Sequence, residues 1–315
     1  PAVMEYLVGA YLQWAGQGVD ALRIDTIGWM PHRWWHEFVR RMRAEHPGMF
    51  MFGEAFDYDA GTIAEHTWPA NANVSVLDFP LRGALEQVFG TAGKGFETLG
   101  EPLHLQGGPY ANPYELMSFY DNHDMPRLQA SDAGFIDAHN WLFTARGIPV
   151  LYYGSETGFM RGRAEHAGNR AYFGQQRVDA APTSPIFGPL KRIATLRQRT
   201  PALQRGLQVN ERLQGDQAVF LRVLQHGDIQ QTALVLLNKG DAPARMRVQR
   251  YLQAGRWQDA LDGGSQQVRN QLETEVPAHG VKVFVLDAPV KQPALQRQLD
   301  AAMQDQRARD ARLGR

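Results

Sequence analysis

Three carboxylates stand where apolar runs end, and their chemistry is the first clue in this sequence. Asp25, Glu54 and Asp124 each follow a short apolar run, at intervals of 54−25=29 and 124−54=70 residues. Such runs predict buried strands, so each acid is expected at the end of a different strand. Two carboxylates that face each other across a glycosidic bond can cleave it. One attacks or stabilises the anomeric carbon, and the other protonates the leaving oxygen.

The residues around the first two acids fit those two roles. Arg23 lies two positions before Asp25, so both side chains point to the same side of a strand. We expect Arg23 to hold Asp25 ionised and oriented, as a nucleophile must be. Phe52 and Phe56 flank Glu54, and apolar surroundings favour the protonated form that a general acid requires.

Each of these residues also has a structural interpretation. A single acid at a strand end is more often a cap or an ion-pair partner than a catalyst, but three in register favour an active site. Taken by itself, His123, next to Asp124, is compatible with a loop histidine whose hydrogen bonds are only structural. Trp29, Trp34 and Trp35 could pack a helix or form a sugar-stacking platform, and packing is the better interpretation for at least two of them.

Helical patterns separate the apolar runs. Residues 3–14 place Val3, Met4, Leu7, Tyr11 and Trp14 on one helical face, and residues 35–42 repeat the same period. Five parallel strands are predicted, at residues 19–25, 49–54, 74–78, 116–120 and 148–153. Strands that alternate with helices and end in acids indicate a βα barrel or a doubly wound sheet, with the active site at the C-terminal strand ends.

The pattern changes at about residue 204, where short strands follow one another without helices. Four such strands are predicted, at residues 218–224, 232–237, 244–248 and 281–286. The sequence therefore predicts a catalytic barrel portion at residues 1–203 and an antiparallel β domain at 204–288. Residues 289–315 are rich in Gln, Arg, Asp and Ala and are predicted to form a frayed helix or a charged tail.

Composition excludes several classes of partner and site. The 315 residues include 33 basic and 33 acidic side chains, which argues against a nucleic acid or a membrane as a partner held by charge. The chain has no cysteine, so disulfides and thiolate metal sites are excluded. No apolar run is long enough to cross a bilayer. Because the chain begins at Pro1, the lack of a visible signal peptide leaves its compartment open.

Four motifs together resemble the α-amylase family of glycoside hydrolases. Residues 18–25 (GVDALRID) resemble the motif of its fourth barrel strand, and residues 52–54 (FGE) that of its fifth. Residues 119–124 (FYDNHD) resemble the seventh-strand motif, and residues 147–154 (GIPVLYYG) the eighth strand. The resemblance extends to about residue 286 and is greatest for bacterial α-amylases, cyclodextrin glucanotransferases and cyclodextrinases. It implies the C-terminal portion of a (β/α)8 barrel followed by an antiparallel β-sandwich.

The resemblance also implies residue roles. Asp25 would be the nucleophile, Glu54 the acid/base and Asp124 the stabiliser of the transition state. Arg23 would support the nucleophile, and His123 would bind hydroxyls of the glucose unit being cleaved. The resemblance further suggests two outer sugar contacts: Phe56 would stack on an acceptor sugar, and Arg170, in the sequence Gly168-Asn169-Arg170, would contact a donor-side sugar.

Three positions depart from the family pattern. Many members carry a Lys-His pair three and four residues after the nucleophile, where this sequence has Gly28 and Trp29. Acceptor binding is therefore expected to differ, and Trp29 is a candidate substrate contact. His166 stands where an acid usually precedes the Asn-Arg motif.

The first three barrel strands of the family and its insertion domain have no counterpart here. We therefore expect a C-terminal part of a longer enzyme, whose N-terminal part is its partner. The chemistry requires no cofactor. A structural calcium ion is possible but cannot be argued, because the usual calcium site lies mostly in the segment without a counterpart. The resemblance suggests a secreted or periplasmic enzyme.

The predicted function is retaining hydrolysis or transglycosylation of α-glucosidic bonds in starch-like glucans or maltooligosaccharides. A cyclodextrin glucanotransferase or another α-glucan transferase is the alternative, and the lack of further β domains after residue 288 favours a hydrolase over it. A non-catalytic homologue that binds sugar or a protein partner is the alternative of another class. The presence of Arg23, Asp25, Glu54, His123 and Asp124 together argues against that last alternative.

Overall fold

The computed structural model describes residues 2–314, and helices alternate with strands in its first part. Among residues 2–314, no helix combines the length and apolar character needed to cross a membrane. The elements of this part are α1 (Ala2–Gly16), β1 (Ala21–Ile24), α2 (His32–Glu45), β2 (Phe50–Gly53), α3 (Ala60–Ala64), β3 (Ser75–Val76), α4 (Phe79–Phe89), β4 (Met117–Ser118), α5 (Asp132–Thr144), β5 (Ile148–Pro149), α6 (Gln175–Ala180), α7 (Phe187–Arg199) and α8 (Pro201–Arg205).

The five predicted strands are present and run parallel. β1, β2 and β3 pair side by side, with Arg23 opposite Phe52. β4 and β5 form a second parallel pair, and a bridge between Leu77 and Met117 joins the two groups. The strands therefore follow one another in chain order, and their C-terminal ends lie on one side. They are shorter than the apolar runs that predicted them.

The helices bury the apolar faces that their periodicity predicts, with one exception. In α2, Trp35, Phe38, Val39 and Met42 are buried at the spacing i, i+3, i+4, i+7, and each buried side chain of this size contributes about 1.5–3 kcal/mol. The exception is α1, which buries Met4 and Val8 but exposes Val3, Tyr11 and Trp14 from its predicted apolar face. Among residues 2–314, no strand pairs with the outer edge of β1, next to which this face lies.

The second part of the chain is antiparallel, as predicted, but it contains more strands than the sequence indicated. Six strands form one sheet in the order β11-β10-β13-β8-β7-β6, and β9 pairs with β12 in a second sheet. These strands are β6 (Leu207–Gln214), β7 (Gln217–His226), β8 (Ile229–Asn238), β9 (Ala244–Val248), β10 (Gly255–Asp259), β11 (Ser265–Val268), β12 (Leu272–Val276) and β13 (Gly280–Asp287). The boundary at residue 204 stays a prediction.

Alternation along β7 shows how the larger sheet is covered on both faces. Val219 and Leu221 belong to the core shared with β9 and β12, and so form the interior of a sandwich. Ala218 and Phe220 face the other way, into the core built by α4, α5 and α7. The sheet therefore packs against the parallel part of the chain as well as against its own second layer.

Three buried arginines lie at or near this junction, and one of them, Arg222 of β7, joins the two parts by donating to the Thr144 carbonyl. Arg146 and Asp78 form an ion pair of 2.6 Å with both side chains fully buried. Burial lowers the pKa of Arg197 to about 10 and that of Arg222 to about 9, so both stay charged at neutral pH. The two arginines donate to backbone carbonyls at and just beyond the C-terminal end of α5, which carries partial negative charge, and Arg222 also donates to Gly206.

Where the sequence predicts a frayed helix or charged tail, the structure has a 21-residue helix, α9 (Pro293–Leu313). The Gln292 side chain caps its first turn, and Leu295 is buried in the sandwich core. Further along, the Asp305 carboxylate accepts from the Gly107 N–H, and Gln306 donates to Ala111. The apolar face of this helix is weak, so its sequence pattern does not predict how it docks. The polar contacts of Asp305 and Gln306 hold it in place, and composition does not reveal them.

Candidate active site

Arg23 connects the first two predicted catalytic acids. Its Nη1 lies 2.6 Å from Asp25 Oδ1, and its Nη2 lies 3.3 Å from Glu54 Oε1. Arg23 and Asp25 extend to the same side of the β1 end, while Glu54 comes directly after the neighbouring β2. The Asp25 side chain is 64% exposed and that of Glu54 only 6% exposed. One guanidinium therefore positions an accessible carboxylate beside a buried one.

The turn after Asp25 also holds Glu54. The Glu54 N–H donates to Ile24 (2.8 Å), and the Thr26 N–H donates to Glu54 Oε2 (3.2 Å). Thr26 has a φ of 47°, a left-handed conformation that is unfavourable for a β-branched residue. Gly53 lets this turn approach, because a Cβ there would lie 2.6 Å from the buried Ile27 side chain.

The third acid belongs to a second cluster, beyond the end of β4. His123 Nε2 lies 2.8 Å from Asp124 Oδ2, and Arg170 forms an ion pair with Asp124 Oδ1. Arg170 Nε also donates to the His123 carbonyl across 3.0 Å. Both oxygens of Asp124 are thus engaged. The structure brings together these three predicted site residues, although Arg170 is 46 positions away from Asp124 in the chain.

Three supporting residues were not predicted. Asn169 is fully buried, and its side chain donates to His123 and accepts from the His166 N–H. Arg127 donates to the Asn169 and Tyr153 carbonyls. Asp121 accepts from the Leu128 N–H and from Ser155, and burial raises the pKa of its carboxyl group. Asn169 and Asp121 lie inside recognisable motifs, which was the available signal. Arg127 had none.

The predicted aromatic contacts lie on the surface near the first cluster. Trp29 ends a 3-10 helix (Ile27–Trp29) and is 84% exposed. Phe56 is 57% exposed, with its ring centroid 4.7 Å from that of buried Phe79. Trp35 donates to the Ile27 carbonyl and is buried, and Trp34 stacks on Phe38. Packing is therefore the correct interpretation for Trp34 and Trp35, whereas Trp29 and Phe56 are accessible to a ligand.

Within residues 2–314, no group of three or more His, Asp or Glu side chains is arranged to hold a metal ion. Calcium also takes backbone carbonyl and side-chain amide oxygens as ligands, so the structural calcium ion that the resemblance left open stays open.

This chain is similar in sequence to known proteins. A family model described as the alpha-amylase catalytic domain matches residues 1–180. An α-amylase of Niallia circulans is 28% identical over 238 residues, which are 74% of this chain and 43% of that protein. A cyclomaltodextrin glucanotransferase of Paenibacillus macerans is 28% identical over 269 residues, 83% of this chain and 36% of that protein. The chain thus spans about two fifths of the length of these relatives.

Solved structures agree. The α-amylase of Geobacillus thermoleovorans, complexed with acarbose, matches with a TM-score of 0.78 and 25% identity, covering 91% of this chain and 64% of that one. A cyclomaltodextrin glucanotransferase with a three-domain ABC distribution matches with a TM-score of 0.75 and 29% identity, covering 91% and 60%. The predicted fold, the C-terminal portion of a (β/α)8 barrel followed by an antiparallel β-sandwich, is confirmed.

Proposed function

The chain belongs to the α-amylase family, and from that premise we propose that it carries the catalytic acids of a retaining enzyme acting on α-glucosidic bonds in starch-like glucans or maltooligosaccharides. The observation that carries the proposal is the contact of Arg23 with both Asp25 and Glu54. This contact joins two carboxylates at the C-terminal ends of adjacent parallel strands, where a nucleophile and an acid of a retaining enzyme would stand.

The first half of the reaction uses both carboxyl groups. Asp25 attacks the anomeric carbon and forms a glycosyl ester, while protonated Glu54 gives its proton to the glycosidic oxygen, so the leaving sugar departs as an alcohol. In the second half, the Glu54 carboxylate removes a proton from water or from a sugar hydroxyl. That oxygen attacks the same carbon and releases Asp25, and Glu54 is again protonated. No cofactor takes part in either step.

The second cluster is proposed to bind the glucose unit under attack. His123 and Arg170 hold Asp124 from two sides, which leaves a fixed negative charge for the oxocarbenium-like transition state. His123 would donate to sugar hydroxyls as well. Arg170, more than half exposed, would contact a sugar on the donor side.

The choice between hydrolysis and transfer depends on the acceptor. Phe56 and Trp29 are both exposed beside the acid and the nucleophile, so a sugar acceptor has aromatic faces on which to stack. This favours an α-glucan transferase, the cyclodextrin glucanotransferase type included, as the second candidate function.

The N-terminal part of the same enzyme is the proposed partner of this chain. Among residues 2–314, β1 pairs only with β2, and a cavity of about 190 Å³ lies between α1, α2 and β1. A βα barrel closes only when all its strands pair, usually eight, and an apolar edge strand promotes aggregation. We expect residues 1–315 alone to fold poorly and to cleave starch weakly, and the preceding barrel segment to restore both. Equal activity per mole without that segment would show that the fragment is self-sufficient.

The anomeric form of the first product tests the mechanism. In the enzyme with its preceding barrel segment, starch, a cyclodextrin and sucrose are supplied in turn, and proton NMR follows the products. We expect α-configured products from starch, and nearly complete loss of turnover in Asp25→Asn while sugar binding survives. β-configured first products would rule out retention. Full activity in Asp25→Asn would show that Asp25 is not the nucleophile, and no turnover by the wild type on any of the three substrates would favour the non-catalytic alternative.

A further inference from the structure

The segment of residues 169–173, here called the strap, is fixed to the second cluster almost residue by residue. Asn169 is buried and donates to the His123 carbonyl, and Arg170 pairs with Asp124. The Ala171 carbonyl accepts a 2.7 Å hydrogen bond from the Tyr153 hydroxyl. Phe173 packs edge-on against Phe159, with 5.0 Å between ring centroids. Four of its five positions are thus anchored.

Arg127 contacts the strap from its buried side. Its guanidinium donates to the Asn169 and Tyr153 carbonyls. It also lies 4.4 Å from the Tyr152 ring centroid and 5.4 Å from that of Phe159, within the range of cation–π attraction. Because Arg127 itself is buried, the strap rests on a rigid aromatic and cationic base and has little freedom to move.

The remaining position of the strap is Tyr172, which is 86% exposed. The next residue but one, Gly174, has a φ of +78°, and a Cβ there would lie 3.2 Å from the Tyr172 ring. A large ring is therefore held out to solvent by a backbone that is otherwise clamped. Such a ring binds a ligand with little further loss of conformational freedom.

The position of Tyr172 indicates which ligand. Two residues of chain reach at most about 7 Å, so Tyr172 lies close to Arg170, whose guanidinium contacts Asp124. A pyranose ring presents an apolar C–H face, which complements an aromatic ring, and hydroxyls, which complement charged and polar groups such as Arg170.

We propose that Tyr172 is a stacking platform for an outer glucose unit of an α-glucan chain whose inner unit lies at Asp124. The inference deepens the proposed function and rests on it. It assigns the strap two functions: Arg170 orients the acid, and Tyr172 holds the glucan further out.

Binding of maltooligosaccharides of different length tests this assignment. The parent protein is the enzyme with its preceding barrel segment and the substitution Asp25→Asn, which prevents turnover. Maltoheptaose and maltose are titrated by calorimetry into this parent and into the parent carrying Tyr172→Ala, Tyr172→Trp or Tyr6→Ala. Tyr6 is the matched control, a tyrosine 77% exposed on the outer helix α1. We expect Tyr172→Ala to weaken maltoheptaose binding about tenfold and Tyr172→Trp to retain it. Tyr6→Ala should leave maltoheptaose binding unchanged, and maltose binding should be the same in all variants.

The outcomes separate the inference from the function on which it rests. Maltoheptaose binding by Tyr172→Ala equal to that of the parent would overturn the platform and leave the proposed function intact. Weaker maltoheptaose binding in both Tyr172→Ala and Tyr172→Trp would assign Tyr172 a structural role. No binding of maltoheptaose by the parent, with thermal unfolding showing a folded protein, would contradict the proposed function and the platform with it.

Discussion

The backbone N–H of Thr26 donates to the Glu54 carboxylate across 3.2 Å, and it does so from a left-handed conformation with a φ of 47°. A β-branched residue is strained there by about 1–3 kcal/mol. The turn that follows one proposed catalytic residue thus fixes the orientation of the other. Strain of this kind often accompanies a functional position.

Thr26→Gly should therefore stabilise the protein while it slows the reaction. Glycine relieves the strain but costs about 0.5–1 kcal/mol through the greater freedom of the unfolded chain, so we expect a net gain of about 1 kcal/mol. The looser turn should reduce kcat severalfold. Thermal unfolding and starch hydrolysis measure the two effects. Asn73→Gly, at another left-handed position (φ 54°), is the control and should leave kcat unchanged. A lower melting temperature with unchanged kcat in Thr26→Gly would show that the turn has no part in positioning Glu54.

Glu54→Gln should affect substrates according to their leaving group. It cannot supply the proton that a glucan leaving group needs, so starch cleavage should fall about 10²–10⁴-fold. α-Glucosyl fluoride needs no proton on its leaving group, so its first step should be spared, and its overall rate should fall less than that of starch because only the second step loses its base. Steady-state rates on both substrates give the comparison, with Glu45→Gln on α2 as an unaffected control. Equal loss on both substrates in a folded variant would mean that Glu54 is not the acid.

Phe56→Ser should shift the product ratio rather than the total rate. If the exposed Phe56 ring stacks on an acceptor sugar, its loss favours water as the acceptor, and the transfer-to-hydrolysis ratio should fall severalfold. Chromatography of products from maltooligosaccharides measures this ratio. Tyr58→Ser removes a neighbouring ring that also contacts Phe79 and controls for lost packing. A ratio unchanged in Phe56→Ser would make packing on Phe79 the only role of Phe56.

The junction between barrel and sandwich should weaken as pH rises. His279 Nδ1 lies 2.7 Å from Asp137 on α5, and its Nε2 lies 3.0 Å from Asp241. Burial raises the pKa of Asp137 to about 7. Burial opposes the shift of His279, but hydrogen bonds to the two aspartates raise its pKa. Unfolded Asp and His titrate near 3.9 and 6.5, so the folded protein holds more protons at neutral pH, and stability falls with increasing pH.

Urea unfolding between pH 6.5 and 8.5 tests this sign. Burial lowers the pKa values of His66 and His139 to about 4 and about 3, so these histidines make stability rise with pH up to about pH 7.5, but they do so equally in the wild type and in the variants. We expect the decline of stability with pH to be smaller in Asp137→Asn than in the wild type, and Asp241→Asn, at the exposed partner, to have a lesser effect. Equal slopes in wild type and Asp137→Asn would show that the pair does not titrate in this range.

The parts of the site that the sequence revealed are those coded by short-range patterns. Asp25, Glu54 and Asp124 each follow a buried apolar run, and Arg23 shares a strand face with Asp25, so period and position marked them as candidates. The resemblance to the α-amylase family then suggested their roles. Arg127 could not be found in this way, since its partners, the Tyr153 and Asn169 carbonyls, lie 26 and 42 residues away. Every residue type carries a backbone carbonyl, so the sequence does not show which distant residue accepts a hydrogen bond from Arg127.

The fold was predictable to the same degree. β7 and β8 are long and apolar and were found, whereas β11 (Ser265–Val268) is short and mostly polar and resembles a loop. α9 was missed as an ordered helix because its docking depends on Asp305 and Gln306 meeting the backbone of residues nearly two hundred positions earlier.

Helix α9 has a consequence for modular engineering of this protein. Its first turns pack in the sandwich core through Leu295, and its later turns bind Gly107 and Ala111, in the loop that leads into β4. A rod of 21 residues, about 30 Å long, thus bridges both parts of the chain. A chimera that grafts the sandwich onto a different barrel, cut after β13, would lose this brace. To transplant the sandwich, α9 must therefore be moved with it, and residues 107–111 of this chain must replace the equivalent loop of the recipient barrel.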